Sequence, residues 1–286
     1  MTNDLIFDPS AFAPRKTLSV KTPEGFAFDP AAIAAQVEAE KKAVIDLATA
    51  PLGEVEAWSF SRLMDYEKCP YSVYLAKVCK APTPSGPAAE RGTMIHNAIE
   101  AYIKGETAEE IKEMRGFLPL IRQLREGYAE AKVEVEGDWA FTRDWQTTGW
   151  TSKDCWARIK LDVLVHESET SAKVIDWKSG KKFGNEIKHN QQGMTYAIGA
   201  FKRYPDLEFV EVEFDYVDKN DQLRTQYTRR QAELLLPMLN ERALKMTTAT
   251  KFDPKPSFSA CRWCPHKDIQ EGFDKPACEY YHEHLV

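Results

Sequence analysis

Apolar residues recur along this chain with two periods, and the period changes several times. Asp29-Pro30 has the form of an N-cap followed by proline at the first helical position. Ile33, Val37, Val44 and Leu47 then fall on one stripe, which predicts a helix as far as about Thr49, ended by Pro51-Leu52-Gly53. That stripe is expected to pack on the core, with capping of a channel or contact with a partner as the alternatives. A second helix is expected from Ser59 to about Cys79, followed by a Pro/Gly loop over 81–90. Gly92 to Lys104 reads as a helix with His96, Ile99 and Ile103 on one face. One or two more helices fill 107–130, interrupted near Gly116-Phe117-Leu118-Pro119. Lys132 to Thr142 alternates, as a strand does. After a Trp-rich turn come two further strands within Ala157–Lys182, a helix from Asn190 to Lys202, strands at Glu208–Val217 and Leu223–Thr228, and a long helix from Arg229 to Lys245. From Phe252 the chain is irregular and rich in cysteine, residues 1 to about 28 show no period, and no internal repeat is visible.

The stretch Ala157–Lys182 carries the chemistry. In its first strand Ala157, Ile159, Leu161, Val163 and Val165 are expected to point one way and Arg158, Lys160 and Asp162 the other. In the second, Asp176 and Lys178 share a face. Folding the pair as a hairpin across His166-Glu-Ser-Glu-Thr170, with His166 opposite Ala172, sets Asp162 opposite Asp176. Two carboxylates that close raise each other's pKa unless a cation lies between them. A divalent metal is the obvious cation, with Asp162 and Asp176 as ligands and the Trp177 carbonyl as a further donor. Such oxygen ligands suit Mg²⁺ or Mn²⁺, and Lys178 is placed to orient an attacking water. An acid-x-Lys alone means little, since five others occur (Glu40/Lys42, Glu110/Lys112, Glu130/Lys132, Glu186/Lys188 and Asp253/Lys255).

Company in the right order makes this one specific. The segment from Trp58 to Leu75 (WSFSRLMDYEKCPYSVYL), the run Arg91-Gly92-Thr93-Met94-Ile95-His96, the hairpin acids, Gln192-Gly-Met-Thr-Tyr196, and Cys261-Arg-Trp-Cys264-Pro with a later Cys278 follow one another. Over roughly residues 57–282 this series resembles the PD-(D/E)XK nuclease superfamily, in its RecB-like exonuclease branch. The resemblance implies an α/β, restriction-endonuclease-like core: a short mixed central sheet flanked by helices, with a cysteine module joining the N- and C-terminal flanks. It implies that His96 completes the Mg²⁺ or Mn²⁺ site and that Gln192 and Tyr196 sit beside it, contacting DNA and placing the lysine. Glu134 and Glu136, which share a strand face, are candidates for an assisting acid.

Composition and charge narrow the setting. A net charge of −6 does not suit a protein that passively coats DNA, so cationic help must be local. Lys178, Lys181, Lys182 and Lys188, with Arg158 and Lys160, form such a concentration, and Lys181 and Lys182 are candidate DNA contacts. Trp145, Trp150, Trp156 and Trp177 could stack on bases of a single strand, although at least two are expected in the core. The start MTNDLIFDPS lacks the form of a signal peptide, and no apolar run is long enough to span a membrane, so a cytoplasmic protein is expected. In a reducing compartment the cysteine pair separated by two residues, with a third near the end, reads as metal-binding. Cys69, Cys261, Cys264 and Cys278 are the candidates, and Cys79 and Cys155 look like buried thiols. The resemblance favours a [4Fe–4S] cluster. The thirteen residues between Cys264 and Cys278 exceed the family's usual spacing, which leaves zinc open with His266 or His282 as a substitute ligand.

The expected organisation is an N-terminal extension over 1–55, a nuclease core over 56–250 and a cysteine module over 251–286. The expected function is metal-dependent DNA hydrolysis from an end and on or towards single strands, in recombination, repair or phage DNA processing, with DNA (single-stranded or duplex ends) and a recombination or replication protein as expected partners. The alternatives are a CRISPR adaptation nuclease that trims spacer precursors and a non-catalytic DNA-binding subunit.

Overall fold

A computed structural model describes residues 30–281. The chain divides into two units at Ala43/Val44. The first helix, α1 (Pro30–Thr49), begins in the N-terminal unit, where Ile33 and Val37 of the expected core stripe are exposed instead. Its expected N-cap, Asp29, lies outside the described residues, as does the aperiodic stretch before it.

The rest of the chain builds a six-stranded sheet between two layers of helices. The expected helix from Ser59 is two: α2 (Phe60–Lys68) and α3 (Pro70–Lys77). Proline forces the residue before it out of helical conformation, and Cys69 is accordingly extended at φ −159°, ψ 102°. Ser59 caps α2 by accepting from the Arg62 N–H at 3.4 Å. Helix α4 (Pro87–Ile103) starts inside the expected loop, with Pro87 at its first position. A 3₁₀ turn (Lys112–Phe117) leads into α5 (Leu118–Ala129).

Strands β1 (Val133–Phe141), the short β2 (Thr147–Thr148), β3 (Ala157–His166) and β4 (Ser171–Lys178) follow, then α6 (Glu186–Arg203), β5 (Phe209–Tyr216), β6 (Asp221–Thr228) and α7 (Arg229–Thr247). The sheet order is β2-β1-β3-β4-β5-β6, and only β4 and β5 run parallel, joined by the α6 crossover. Helix α7 opens with a capping box between Thr228 and Gln231. A four-residue α8 (Phe258–Cys261) stands in the cysteine-rich end. Among the described residues no helix is long and apolar enough to cross a membrane.

Two apolar clusters lie on opposite faces of the sheet. One packs α2, α3, α6 and α7 and holds Trp58, Trp139, Phe141, Trp156 and Phe214. The other packs α4, the 3₁₀ turn and α5 around Ile95, Ile99, Met114 and Trp177. The expected alternation of β3 breaks between them. Ala157, Ile159 and Leu161 join the first cluster, with Leu164, while Val163 joins the second and Val165 packs against it. Opposite this point on β1, Glu136 has φ 54°, a left-handed backbone that interrupts the pleat. Both strands therefore exchange faces, and Asp162 sits at the exchange.

Candidate active site

The hairpin forms in the expected register, with His166 opposite Ala172 and Val163 opposite Ile175. Its turn is closed by the Ser168 hydroxyl, which accepts from the N–H groups of Thr170 and Ser171 at 3.2 and 3.0 Å. The register carries Asp162 to the neighbourhood of Asp176, where the Trp177 N–H donates to Asp162 Oδ2 at 2.8 Å.

Each flanking layer supplies a side chain. From α4, His96 Nδ1 lies 3.0 Å from Asp162 Oδ1. From α6, the Tyr196 hydroxyl donates to Asp176 Oδ2 at 2.6 Å and Gln192 Nε2 donates to the same oxygen at 3.3 Å. Lys178 Nζ stands 2.6 Å from Asp176 Oδ1 and donates to Gln192 Oε1 at 3.2 Å. Gln192 and Tyr196 are one helical turn apart, so both reach one carboxylate. Helix α6 comes close enough because Gly193 and Gly199 face the sheet, where an added Cβ would meet Phe214 at 3.3 Å and Ile159 at 2.6 Å.

The electrostatics are those of two acids in want of a cation. Burial, then the Asp176 carboxylate, push the Asp162 carboxyl above its usual range, against the His96 and Trp177 hydrogen bonds. Burial pulls the His96 imidazole down, but Asp162 and Asp176 more than offset it, and its pKa is raised. Burial and the two aspartates hold the Tyr196 phenol well above its ordinary value, so it stays a donor. Asp176 is 3% exposed, and its Oδ1 has the Lys178 ammonium nearby but no aligned hydrogen bond. Paired carboxylates, one buried oxygen without a donor and a neighbouring imidazole are the kinds of donor a hard divalent cation takes, but with Asp162 held by His96 and Asp176 by Lys178 they are not arranged as ligands of a single ion.

A cleft of about 220 Å³ lies beside this pair, on the side of its partners His96 and Lys178, and is lined by these two with Gly180, Lys181, His189 and Tyr216 among others. Sequence reasoning missed the last two. His189 stacks on Phe214 and shares a 2.6 Å hydrogen bond with the Tyr216 hydroxyl. Burial and Lys178 lower its pKa to about 4, so it is a neutral imidazole facing the lysine. A histidine one turn before the glutamine was the available signal. Lys182 is not part of this lining. Its ammonium is held by Asp221 at 2.6 Å and the Gln222 carbonyl at 3.1 Å.

Glu134 and Glu136 do not share an environment. Glu134 is bound by His166 Nε2 at 2.7 Å and by the Tyr204 hydroxyl at 2.5 Å. Glu136 lies between the pairs Val135–Val163 and Gly137–Leu161, across from Asp162, and pairs with Lys160 at 2.5 Å. Trp145, Trp156 and Trp177 are buried, the first two in an edge-to-face cluster with Trp58, and only Trp150 of the four is half-exposed.

Cys69, Cys261, Cys264 and Cys278 line one cleft, although they come from the α2–α3 break, the end of α8 and the loops after it. All six cysteines are free. The Cys264 N–H donates to the Cys261 carbonyl at 3.1 Å and the Cys278 N–H to the His266 carbonyl at 2.9 Å, which gathers the three C-terminal thiols. Burial first, then the other three cysteines, push the Cys278 thiol up. Among the described residues no three His, Cys, Asp or Glu side chains are arranged as ligands of a single ion. The four thiols stand around Leu75, Pro254 and Pro256. His266 is 1% exposed with neither ring nitrogen hydrogen-bonded, and His282 lies outside the described residues. Cys155 is buried as expected; Cys79 is exposed.

The family model of the PD-(D/E)XK nuclease superfamily matches residues 57–269. No curated protein matches the sequence. The chain is similar to SSO0001, at 15% identity and TM-score 0.42, over 82% of this chain and 93% of that one. It is also similar to LHK-Exo, an alkaline exonuclease from Laribacter hongkongensis, at 12% identity and TM-score 0.35, over 68% of this chain and 89% of that one.

Proposed function

Because this chain belongs to the PD-(D/E)XK nuclease superfamily, we propose that it hydrolyses DNA phosphodiesters with a divalent metal, Mg²⁺ or Mn²⁺, and does so from a DNA end. The observation that carries the reading is the meeting of Asp162, Asp176 and Lys178, backed by His96 from one helical layer and by Gln192 and Tyr196 from the other. Asp162, Asp176, His96 and the Trp177 carbonyl are the residues that would hold the ion. Bound there, a divalent ion offsets charge on the scissile phosphate and lowers the pKa of water.

The protein's own groups do the rest. Tyr196 and Gln192 fix one oxygen of Asp176, so the other is aimed. Lys178, released from its contact with Asp176, holds the attacking water and donates toward the phosphate oxygens. Neutral His189 adds no competing charge beside Lys178. Lys181, at the mouth, attracts the DNA backbone.

End-dependence rests on the RecB-like runs around His96 and Gln192/Tyr196. Recombination, repair or phage DNA processing is the setting those runs suggest. The four-cysteine cleft is read as a [4Fe–4S] site, with zinc on three thiolates and His266 as the alternative. Either would fasten the α2–α3 segment to the C-terminal loops.

Digestion of end-labelled linear DNA and of covalently closed circles, with Mg²⁺, Mn²⁺ or EDTA, tests the proposal. Linear DNA should be degraded and circles spared. Asp162→Ala, Asp176→Ala and Lys178→Ala should each lower the rate by about 100-fold or more with the fold intact. Undiminished cleavage in EDTA would refute the metal, and rapid cutting of circles would refute end-dependence.

A further inference from the structure

Beside the catalytic pair lies a second feature that the hydrolysis does not use. β4 ends at Lys178, while β3 runs back to Ala157, where its edge is met by a single bridge from Trp58. The gap between that edge, the start of α2 and α6 is a groove of about 280 Å³. Gln192 and Tyr196, which hold Asp176, form one wall, so the groove borders the site through these two side chains while sharing no lining residue with the cleft at His96 and Lys178. Ser59, Arg62, Trp150 and Arg158 form the other side, over an apolar floor at Ile159.

Arg62 and Arg158 have no carboxylate at ion-pair distance among the described residues, in a chain that carries more acids than bases. Each is anchored by one arm. Arg62 Nη1 donates to the Ala57 carbonyl, and its buried Nε has no partner. Arg158 Nε donates to the Trp150 carbonyl at 3.1 Å, and its guanidinium lies 5.5 Å from the centre of the Trp150 ring. Anchoring leaves the other nitrogens pre-organised for an anion. Burial and Arg158 lower the pKa of Arg62, and both arginines add to the lowering at Lys77. Unbalanced cations held this close repel one another, and a bound anion relieves the repulsion.

We propose that this groove binds single-stranded DNA next to the catalytic centre, with a base stacked on Trp150 and phosphates on Arg62 and Arg158. The inference rests on the nuclease reading and names the form of its substrate. Arg158 stands four residues before Asp162, about 13 Å along the strand, so DNA with its scissile phosphate at the acids reaches the arginines a phosphate or two away. The half-exposed indole selects the strand state: a paired base in a duplex has no free face to offer, and an unpaired one does.

Binding of a fluorescent oligothymidylate to the full chain in EDTA reads the groove without turnover. Trp150→Ala should bind about 5- to 150-fold more weakly, and Trp150→Phe should retain most of the affinity. Arg62→Gln and Arg158→Gln should each reduce the slope of log affinity against log salt by about 0.7, the single-strand value for one phosphate. Hydrolysis of bis(p-nitrophenyl) phosphate with Mn²⁺, which is too small to fill the groove, should be unchanged in Trp150→Ala. Wild-type affinity in all of these variants, or a blunt duplex that competes as well as the oligothymidylate, would overturn the proposal. If the arginine variants fail to fold, photocrosslinking of an iodouracil oligonucleotide to the wild-type chain decides the point. Attachment at Trp150 supports the groove, and attachment only elsewhere overturns it. Binding by this pattern without hydrolysis of DNA or ester would leave the groove standing and remove the nuclease reading. Hydrolysis with no dependence on Trp150 or the arginines would do the reverse.

Discussion

Asp162 and Asp176 show how a buried pair is kept ready for a cation. Each carboxylate already has a positively charged or proton-bearing neighbour, His96 at 3.0 Å and Lys178 at 2.6 Å. Neither neighbour saturates its acid, since Asp162 keeps a raised pKa and Asp176 Oδ1 lacks an aligned donor. Mg²⁺ or Mn²⁺ should therefore raise the melting temperature of the wild type, by about 1.4 kcal/mol of stability at ten times the dissociation constant. Asp162→Asn should lose that response while melting normally in EDTA, and an equal metal response in the variant would refute the assignment. A second acid pair makes a separate prediction. Asp215 is fully buried on β5, shares Gln222 with Glu213, and is pushed up to about 8 by burial and by Glu213. Its folded pKa lies above its unfolded one, so its contribution to stability is present at low pH and lost as pH rises through about 8. Wild-type stability should fall by on the order of 2 kcal/mol between roughly pH 6 and pH 8, and Asp215→Asn should flatten the fall in urea titrations. An unchanged slope in the variant would show that the proton is held elsewhere.

At the scale of elements, α6 decides whether the site is assembled. Ten of its residues are buried, and its glycines let it lie close on β3 and β5. Gly199→Val would press on Ile159 and, behind it, the Trp139 and Phe141 rings at 3.4 and 3.7 Å from the added Cβ. Overpacking of this kind costs about 1–3 kcal/mol. The helix should also shift Gln192 and Tyr196 away from Asp176. Cleavage should then fall by more than the stability loss explains at a temperature where the variant is folded; proportionate loss would confine α6 to a structural role. The hairpin was legible beforehand because a period of two and one polar turn admit one register that buries the apolar residues. The break in α2–α3 was legible too, since Cys69 precedes Pro70, but the sequence reading ran one helix through it. The exchange of faces at Glu136 carried no such mark, because a non-glycine residue does not advertise a left-handed backbone.

At the scale of the molecule, the cysteine cleft joins segments nearly two hundred residues apart. Closing so long a loop stabilises mainly by restricting the unfolded chain. Cys69→Ser, Cys261→Ser, Cys264→Ser and Cys278→Ser should each destabilise the whole fold, and Cys79→Ser and Cys155→Ser should leave metal content unchanged. Protein purified without oxygen should be brown and release iron and sulfide. A colourless protein with one zinc per chain would replace the cluster, and free reaction of all six thiols in the folded chain would refute both.

What the amino-acid sequence determined by itself is whatever is local or periodic: helix starts at Ser59 and Pro30, the β3–β4 register, the alignment of Asp162 with Asp176, and the turn-spaced Gln192 and Tyr196. Their positions follow from backbone geometry, which the chain carries with it. The tertiary structure alone decided which of those features meet. It placed His96 on Asp162, drew Glu134 to His166 and Tyr204, tied Lys182 to Asp221, exposed Ile33 and Val37, and set Arg62 beside Arg158 with Trp150 at their side. These outcomes depend on which elements stack across a sheet whose inner strands trade faces midway. No local spacing encodes that trade, because it arises where two strands and two helical layers must be packed at once.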